Sequence, residues 1–316
     1  MGATPSVIFD TMGGRILRGI LGGMMAGLPL VAILWLGVGA SFAWAWQYKS
    51  QLSTLAGYYL YRENTRQGDF FMANEGAIGG LHYRGAFVFD NGLFIEPINI
   101  SFYGGGHLRY RSSGTGRMDN VLYALIEIRA VGGYTVSFGG EGAEKNHNIS
   151  IYTGLGYRHT AVRNGGERSN TGATAYDRVN HMAYLPLGID YRFTYGRWSF
   201  GFGGEYDFFL AGQQESYFRH IFVAPNGHAL GSASPMAIKN SQQNGYGMKF
   251  NITASYNGWF FSPFFNYWSI GVSKIASQLL PRCDYDGSNC AGQSTLSIEE
   301  PDNITIEAGA RMGYLF

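Results

Sequence analysis

Apolar and polar residues alternate with a period of two in stretches of about ten residues or more, separated by clusters of turn-forming residues, which is the signature of β-strands. Between Leu122 and Phe138, one face carries Leu122, Ala124, Ile126, Ile128, Ala130, Tyr134, Val136 and Phe138, and the other carries Glu127, Arg129, Thr135 and Ser137. The stretch from Ala183 to Tyr195 repeats this, with Asp190 and Arg192 behind its apolar face. Trp198 to Leu210 repeats it with Glu205 and Asp207 behind, and Tyr246 to Tyr256 with Lys249, Asn251, Thr253 and Ser255 behind. The pattern predicts strands near 51–62, 77–89, 93–110, 121–138, 148–160, 181–195, 197–210, 244–256, 259–275 and 303–316. The first alternates poorly from Leu52 to Tyr58, so eight or twelve strands stay open beside ten. Pro97 and Pro263 imply bulges or local breaks, because proline cannot donate to the ladder.

Alternation alone does not separate a soluble sandwich from a transmembrane barrel, in which the apolar face meets lipid and the charged face lines the lumen. Strand length, aromatic placement and loop asymmetry do. The strands are long enough to cross a bilayer at the usual tilt. Tyr195 and Trp198 flank one turn and Tyr256 and Trp259 another, as an interfacial girdle requires. Asp90-Asn91-Gly92, Tyr195-Gly196-Arg197 and Asn257-Gly258 read as tight hairpin turns, while long polar connections lie near 161–180, 211–243 and 277–302. Short turns at one end and long loops at the other predict an all-β, antiparallel, up-and-down transmembrane β-barrel spanning residues 46–316.

The amino-terminal residues agree with that destination. Arg15 and Arg18 precede an uncharged apolar stretch from Leu21 to Gly39, and small residues at Ala43 and Ala45 fit a signal-peptidase site before Trp46. Residues 1–45 are therefore expected to be an extension and cleaved export signal, the alternative being a single membrane-spanning helix.

Composition narrows the class further. Only 14% of the 316 residues are charged, 16% are aromatic and 47 are glycine, which excludes a disordered chain for most of the length. A formal charge of +1 gives no electrostatic footprint for nucleic acid.

The last strand alternates Ile304, Ile306, Ala308, Ala310, Met312, Tyr314 and Phe316 against Glu307 and Arg311. This ending resembles the terminal signal of bacterial outer-membrane barrels, and the resemblance implies that the barrel-assembly machinery recognises the strand through Tyr314 and Phe316. Residues 46–316 resemble the small outer-membrane β-barrel proteins, the broad opacity-like and porin-like group. Two further stretches are family-like: Tyr184-Leu185-Pro186-Leu187-Gly188, and Glu205-Tyr206-Asp207 followed by Phe209, Gly212, Gln214 and Ser216. The resemblance implies a non-enzymatic, porin-like protein in the outer membrane of a Gram-negative cell, surrounded by outer-membrane lipid. The group also includes surface adhesins, so an extracellular ligand stays open.

The expected lumen carries His82, Arg84, His107, Arg109, Glu127, Arg129, Arg158, Asp190, Arg192, Glu205, Asp207, Lys249, Glu307 and Arg311. In a narrow barrel such a set either fills the interior or lines a slender ion path. Catalytic signals are poor. Asp284 and Asp286 resemble half of the acidic site of the omptin proteases, but the accompanying Asp-x-His is absent, and no Ser/His pair stands at a strand end. His220 and His228 lie in a polar connection and are expected to be solvated or structural. No metal-ligand spacing and no phosphate-binding glycine loop occurs, so no cofactor or metal is expected. Cys283 and Cys290, the only cysteines, are expected to form a local disulfide in an oxidising compartment. Asn-x-Ser/Thr triplets at Asn99, Asn148, Asn251 and Asn303 fall inside strands, where polar–apolar–polar alternation produces them without modification.

Overall fold

Ten antiparallel strands close into a barrel in the computed structural model, which describes residues 46–139, 145–218, 221–223, 229–231, 236–284 and 289–316. The export signal expected within residues 1–45 lies outside the described residues. The first seven strands are β1 (Trp46–Asn64), β2 (Phe70–Phe89), β3 (Leu93–Ser112), β4 (Gly116–Phe138), β5 (Lys145–Arg163), β6 (Asp177–Tyr195) and β7 (Trp198–Phe218). Then come β8 (Ile221–Val223), β9 (Ala229–Gly231), β10 (Met236–Gln242), β11 (Gly245–Tyr256) and β12 (Trp259–Ile270). The last three are β13 (Ala276–Cys283), β14 (Cys290–Ile298) and β15 (Asn303–Leu315). Strands β1 to β7 pair in sequence, β7 passes to β11, β12 and β15, and β15 returns to β1. Closure leaves the wall without an open edge, as hydrocarbon requires of every backbone polar group.

Strand β1 is complete despite its weak alternation. Its inner face carries Leu55, Tyr59 and Tyr61, all buried, and its outer face Leu52 and Tyr58, both exposed. Both faces are apolar at this height, so the contrast that normally reveals a strand is missing.

The polar segment expected as a loop over 211–243 is largely strand. Strand β7 continues to Phe218, and β10 pairs with its Gly212–Phe218 stretch while β11 pairs with Trp198–Phe208. Polarity here marks height above the membrane belt, not loss of strand structure. Outside, Glu215 meets Lys239, Tyr217 and Gln213 instead of lipid. The connection expected over 277–302 holds the β13–β14 hairpin, closed by the Cys283–Cys290 disulfide between directly paired residues.

The outer face of β3 shows where the membrane lies. Leu93, Ile95, Ile98, Ile100 and Phe102 are exposed, and the face turns polar above them at His107, Arg109 and Arg111. From Leu93 to Phe102 the strand rises about 21 Å along the membrane normal at the usual ~45° tilt, most of the ~25 Å belt of such barrels. Strands β1 to β7, at 19 to 23 residues, overshoot the about 9–11 residues a crossing needs and stand proud of the belt at the loop end. Exposed aromatics, Trp46, Tyr195, Trp198, Tyr256 and Trp259, ring the turn end. The fold is that of a transmembrane β-barrel of the outer-membrane class.

The turns differ in kind. Asn257 and Gly258 both take positive φ (49° and 84°), as a type I′ hairpin demands. At the other two turns only Gly92 and Gly196 do, so Asn91 and Arg197 keep ordinary conformations. Pro97 sits within a register shift between Glu96 and Asn99, which leaves Ile95 and Ile98 both facing out. Pro263 causes no register shift: it pairs with Ala310, and the β11–β12 register is the same on either side of it.

Candidate functional site

Period-two geometry brings inward charged residues of five strands to one level in the lumen. Lys249 of β11 stands directly opposite Glu205 of β7. Its ammonium lies 3.2 Å from Glu205 Oε1, 3.1 Å from Asp207 Oδ2 and, across the lumen, 2.5 Å from Glu127 Oε1 on β4. Arg158 of β5 pairs with Glu307 of β15 and lies 3.6 Å from Glu127 Oε2. Tyr103 donates to Glu307 Oε2 at 2.5 Å and Asn266 donates to it at 3.0 Å. Tyr184 donates to Glu127, and Arg129 pairs with Glu205. Arg311 sits 4.9 Å over the Phe264 ring beside this belt. Glu307 and Asp207 are fully buried and Arg158 is 1% exposed, so these charges have left water and depend on one another.

Aromatic rings complete the closure. Tyr184 and Gly156 face each other across the β5–β6 ladder, as do Tyr152 and Gly188. Each ring lies over the opposite glycine: a Cβ on Gly156 would stand 2.1 Å from Tyr184 Cζ, and one on Gly188 2.1 Å from Tyr152 Cζ. Only glycine leaves room for a ring lying flat against the wall. Trp268 packs edge-on to Tyr184 at 5.1 Å, and Tyr59 stacks on Tyr123 at 4.0 Å. Lys249 lies 4.7 Å over the Tyr184 ring, adding a cation–π contact to its carboxylates.

The belt divides the interior. Towards the turns lies a cavity of about 140 Å³, where Arg84 pairs with Glu96, Asn99 donates to Glu96 at 2.5 Å, and His82 meets Asn99 at 3.1 Å. Asp190 and Arg192 line the same cavity. Just beyond the belt, beside Arg158 and Tyr123, only about 30 Å³ is open. Towards the loops lies a chamber of about 340 Å³ with an apolar wall that includes Met72, Tyr110, Met118, Tyr176, Phe218 and Ile298. Its charged floor is the Arg178–Glu63 ion pair, with Tyr61 donating to Glu63 at 2.7 Å and Glu300 beside them.

Residues 164–176 form an ordered lid over the chamber. Gly166 and Ala175 are tied back across the loop (2.9 Å to Ala175 O and 2.8 Å to Glu167 O), and Asp177 Oδ1 accepts from the Asn164 and Gly165 amides. The lid is also fastened to the β3–β4 turn: Asn170 donates to Arg117 O at 3.1 Å and accepts from the Arg117 amide at 2.8 Å.

Among the fourteen residues expected in the lumen, His107 and Arg109 face outward. Register shifts between Gly105 and Leu108 and between Leu108 and Tyr110 exchange the faces, so Leu108 is fully buried while Arg109 is exposed beside Asp119 at 3.4 Å. One extra residue in a strand is enough to do this. Arg192 stands at the mouth of the turn-end cavity and is exposed. The remaining eleven lie along the interior as described above or, for Arg84 and Asp190, around the turn-end cavity. Glu63, Arg178 and Glu300 lay outside the expected strands, just past the ends proposed at 62 and 181 or in a connection. A boundary drawn two to four residues further would have exposed the first two as inward charges.

Tyr314 packs against Trp259 at 5.4 Å and Phe316 at 5.0 Å at the turn end. Asp284 bonds Asn289 at 2.9 Å, whereas Asp286, His220 and His228 lie outside the described residues. Among the described residues, no group of three His, Cys, Asp or Glu side chains is placed to hold a metal ion.

No protein-family model matches the sequence, and no curated protein does. Among solved structures the chain is similar to the outer membrane protease OmpT from Escherichia coli, at 11% identity over 87% of this chain and 99% of that one, with a TM-score of 0.48. It is also similar to the TodX monoaromatic hydrocarbon channel deltaS2 mutant, at 9% identity over 85% of this chain and 90% of that one, with a TM-score of 0.32. A FadL homologue from Pseudomonas aeruginosa matches at 8% identity over 85% of this chain and 90% of that one, with a TM-score of 0.19.

Proposed function

We propose that this protein is a sealed, non-enzymatic outer-membrane barrel that acts at its loop end, not a pore for solutes. The supporting observation is the belt around Lys249, Glu127, Arg158 and Glu307, which leaves about 30 Å³ open just beyond it towards the loops. At ~10–15 Å³ of such space per water, the gap holds two or three waters, so a sugar or fully hydrated ion does not fit without dismantling the belt. Opening it would strand buried charges, at about 3–5 kcal/mol for each partner removed. The loop end, by contrast, is built up: strands rise above the membrane, a tied lid covers the mouth, and a disulfide-closed hairpin stands beside it. Liposomes carrying the refolded protein should swell in small sugars no faster than empty liposomes. Swelling graded by sugar size would contradict the proposal.

A further inference from the structure

The belt accounts for the lumen charges but not for the chamber above it. That space, about 340 Å³, falls within the ~300–1,000 Å³ range of small-molecule sites, and its mostly apolar wall and few convergent polar groups have the makeup of such sites. The polar groups have a common character. Glu63 is spoken for by Arg178 and Tyr61. Glu300, 2% exposed, has no ion-pair partner among the described residues and takes neutral donors alone, Gln214 and, at a long 3.4 Å, Ser216 Oγ. Asn74 and Asn164, 1% and 8% exposed, each bury a side-chain carbonyl oxygen with no hydrogen-bond partner among the described residues, and both line the chamber. Two carboxyls against one guanidinium, together with two orphaned acceptors, leave the chamber short of positive charge and of donors. A buried acceptor without a donor costs about 1–3 kcal/mol, which a suitable ligand would recover. Tyr110, Tyr176 and Phe218 supply aromatic surface beside the floor, suited to a cation on an apolar body.

We propose that the loop-end chamber binds a small organic cation, an ammonium or guanidinium group carried on an apolar or aromatic body. The charged head donates to Glu300 and to the Asn74 and Asn164 carbonyls, and the body lies against Tyr176 and Phe218. No covalent step is involved. The site is separate from the sealed belt, so it stands or falls independently of conductance.

Calorimetric titration of the full mature chain in detergent tests this with three probes of matched shape: tryptammonium, the neutral alcohol tryptophol and the anion indole-3-propionate. Saturable binding of tryptammonium is expected, at least tenfold tighter than tryptophol, with no binding of the anion. Glu300→Gln should weaken it at least tenfold. Ala175→Trp, which fills the chamber from the lid, should abolish it while the heat-modifiable gel shift of the folded barrel is retained. Glu300 lies in a loop-end connection, where burial and then Glu63 push its carboxyl up to about 7 while Arg178 pulls the other way. Glu63, Arg178, Tyr61, Tyr110 and Tyr176 are the other titratable groups around this floor, and burial holds the Tyr176 phenol above its usual range. Affinity should therefore rise with pH through about 7 in the parent and stay flat in Glu300→Gln. Equal affinity for the alcohol and the ammonium, binding untouched by Ala175→Trp, or no binding of the ammonium would each overturn the proposal.

Discussion

Lys249 stands opposite Glu205 in the β7–β11 ladder, and the same ammonium reaches Asp207 at 3.1 Å two pairs further along. One cation thus holds two carboxylates of its own neighbouring strand and a third, Glu127, from the far side of the lumen. Neutralising it leaves that cluster with Arg129 and Arg158 alone. Lys249→Met should destabilise the folded barrel by roughly 3–5 kcal/mol, the cost of removing one partner from a buried charge cluster. The fall in the temperature at which heat-modifiable mobility is lost would show it. An unchanged temperature would mean the cluster is not the keystone described above.

Tyr184 over Gly156 gives a purely steric prediction. Gly156→Ala places a methyl against the ring at 2.1 Å and must displace it from Glu127 and Lys249. Overpacking of this kind costs about 1–3 kcal/mol. Tyr184→Phe, which keeps the ring and removes the hydroxyl, should cost about 1.5–3 kcal/mol through the lost hydrogen bond to a charged group, since Glu127 keeps Lys249 and Arg158. The double variant should be less destabilised than the sum, because the two changes damage one contact.

The exchange of faces in β3 is checked by labelling. A thiol-reactive, water-soluble probe should label Arg109→Cys in folded protein and leave Leu108→Cys unlabelled, since Leu108 is fully buried. The reverse result would restore the uninterrupted alternation expected from the sequence.

Most of the barrel was legible because a lipid-facing wall writes itself in period two wherever the inner face is polar. Ten strands, the short turns and the inward set around Glu127, Glu205, Asp207 and Lys249 follow from that contrast. It fails in three places for three reasons. In β1 the inner face is also apolar (Leu55, Tyr59). Near Leu108 bulges change the phase. Above the belt both faces turn polar, so Gln213 to Ser216 looked like loop while they remain strand. Which charge meets which partner across the lumen, such as Arg158 with Glu307, depends on barrel closure and is absent from any local pattern.

Glu300 links the chamber to stability. Its folded-state carboxyl is raised from 4.5 to about 7, chiefly by burial, so the folded state holds a proton that the unfolded chain has released between those values. Its contribution is full below about 4.5 and is lost as pH rises through about 7. Denaturant unfolding of the parent should show a fall in stability over that window that Glu300→Gln removes.

Orientation is open to a direct test. An epitope inserted at Gly172, in the lid, where φ is +86° and nothing crowds the residue, should be detected on intact cells. The same epitope at Gly196, in the turn between β6 and β7, should be detected only after the outer membrane is permeabilised.

The sealed belt is tested most directly by planar-bilayer conductance of the refolded protein. The parent should give no discrete steps at high salt, while a variant that removes the belt's centre, Lys249→Ala with Glu127→Ala and Tyr184→Ala, should give them if it folds to the heat-modifiable form. Reproducible single-channel steps from the parent itself, abolished by heat denaturation, would contradict the account.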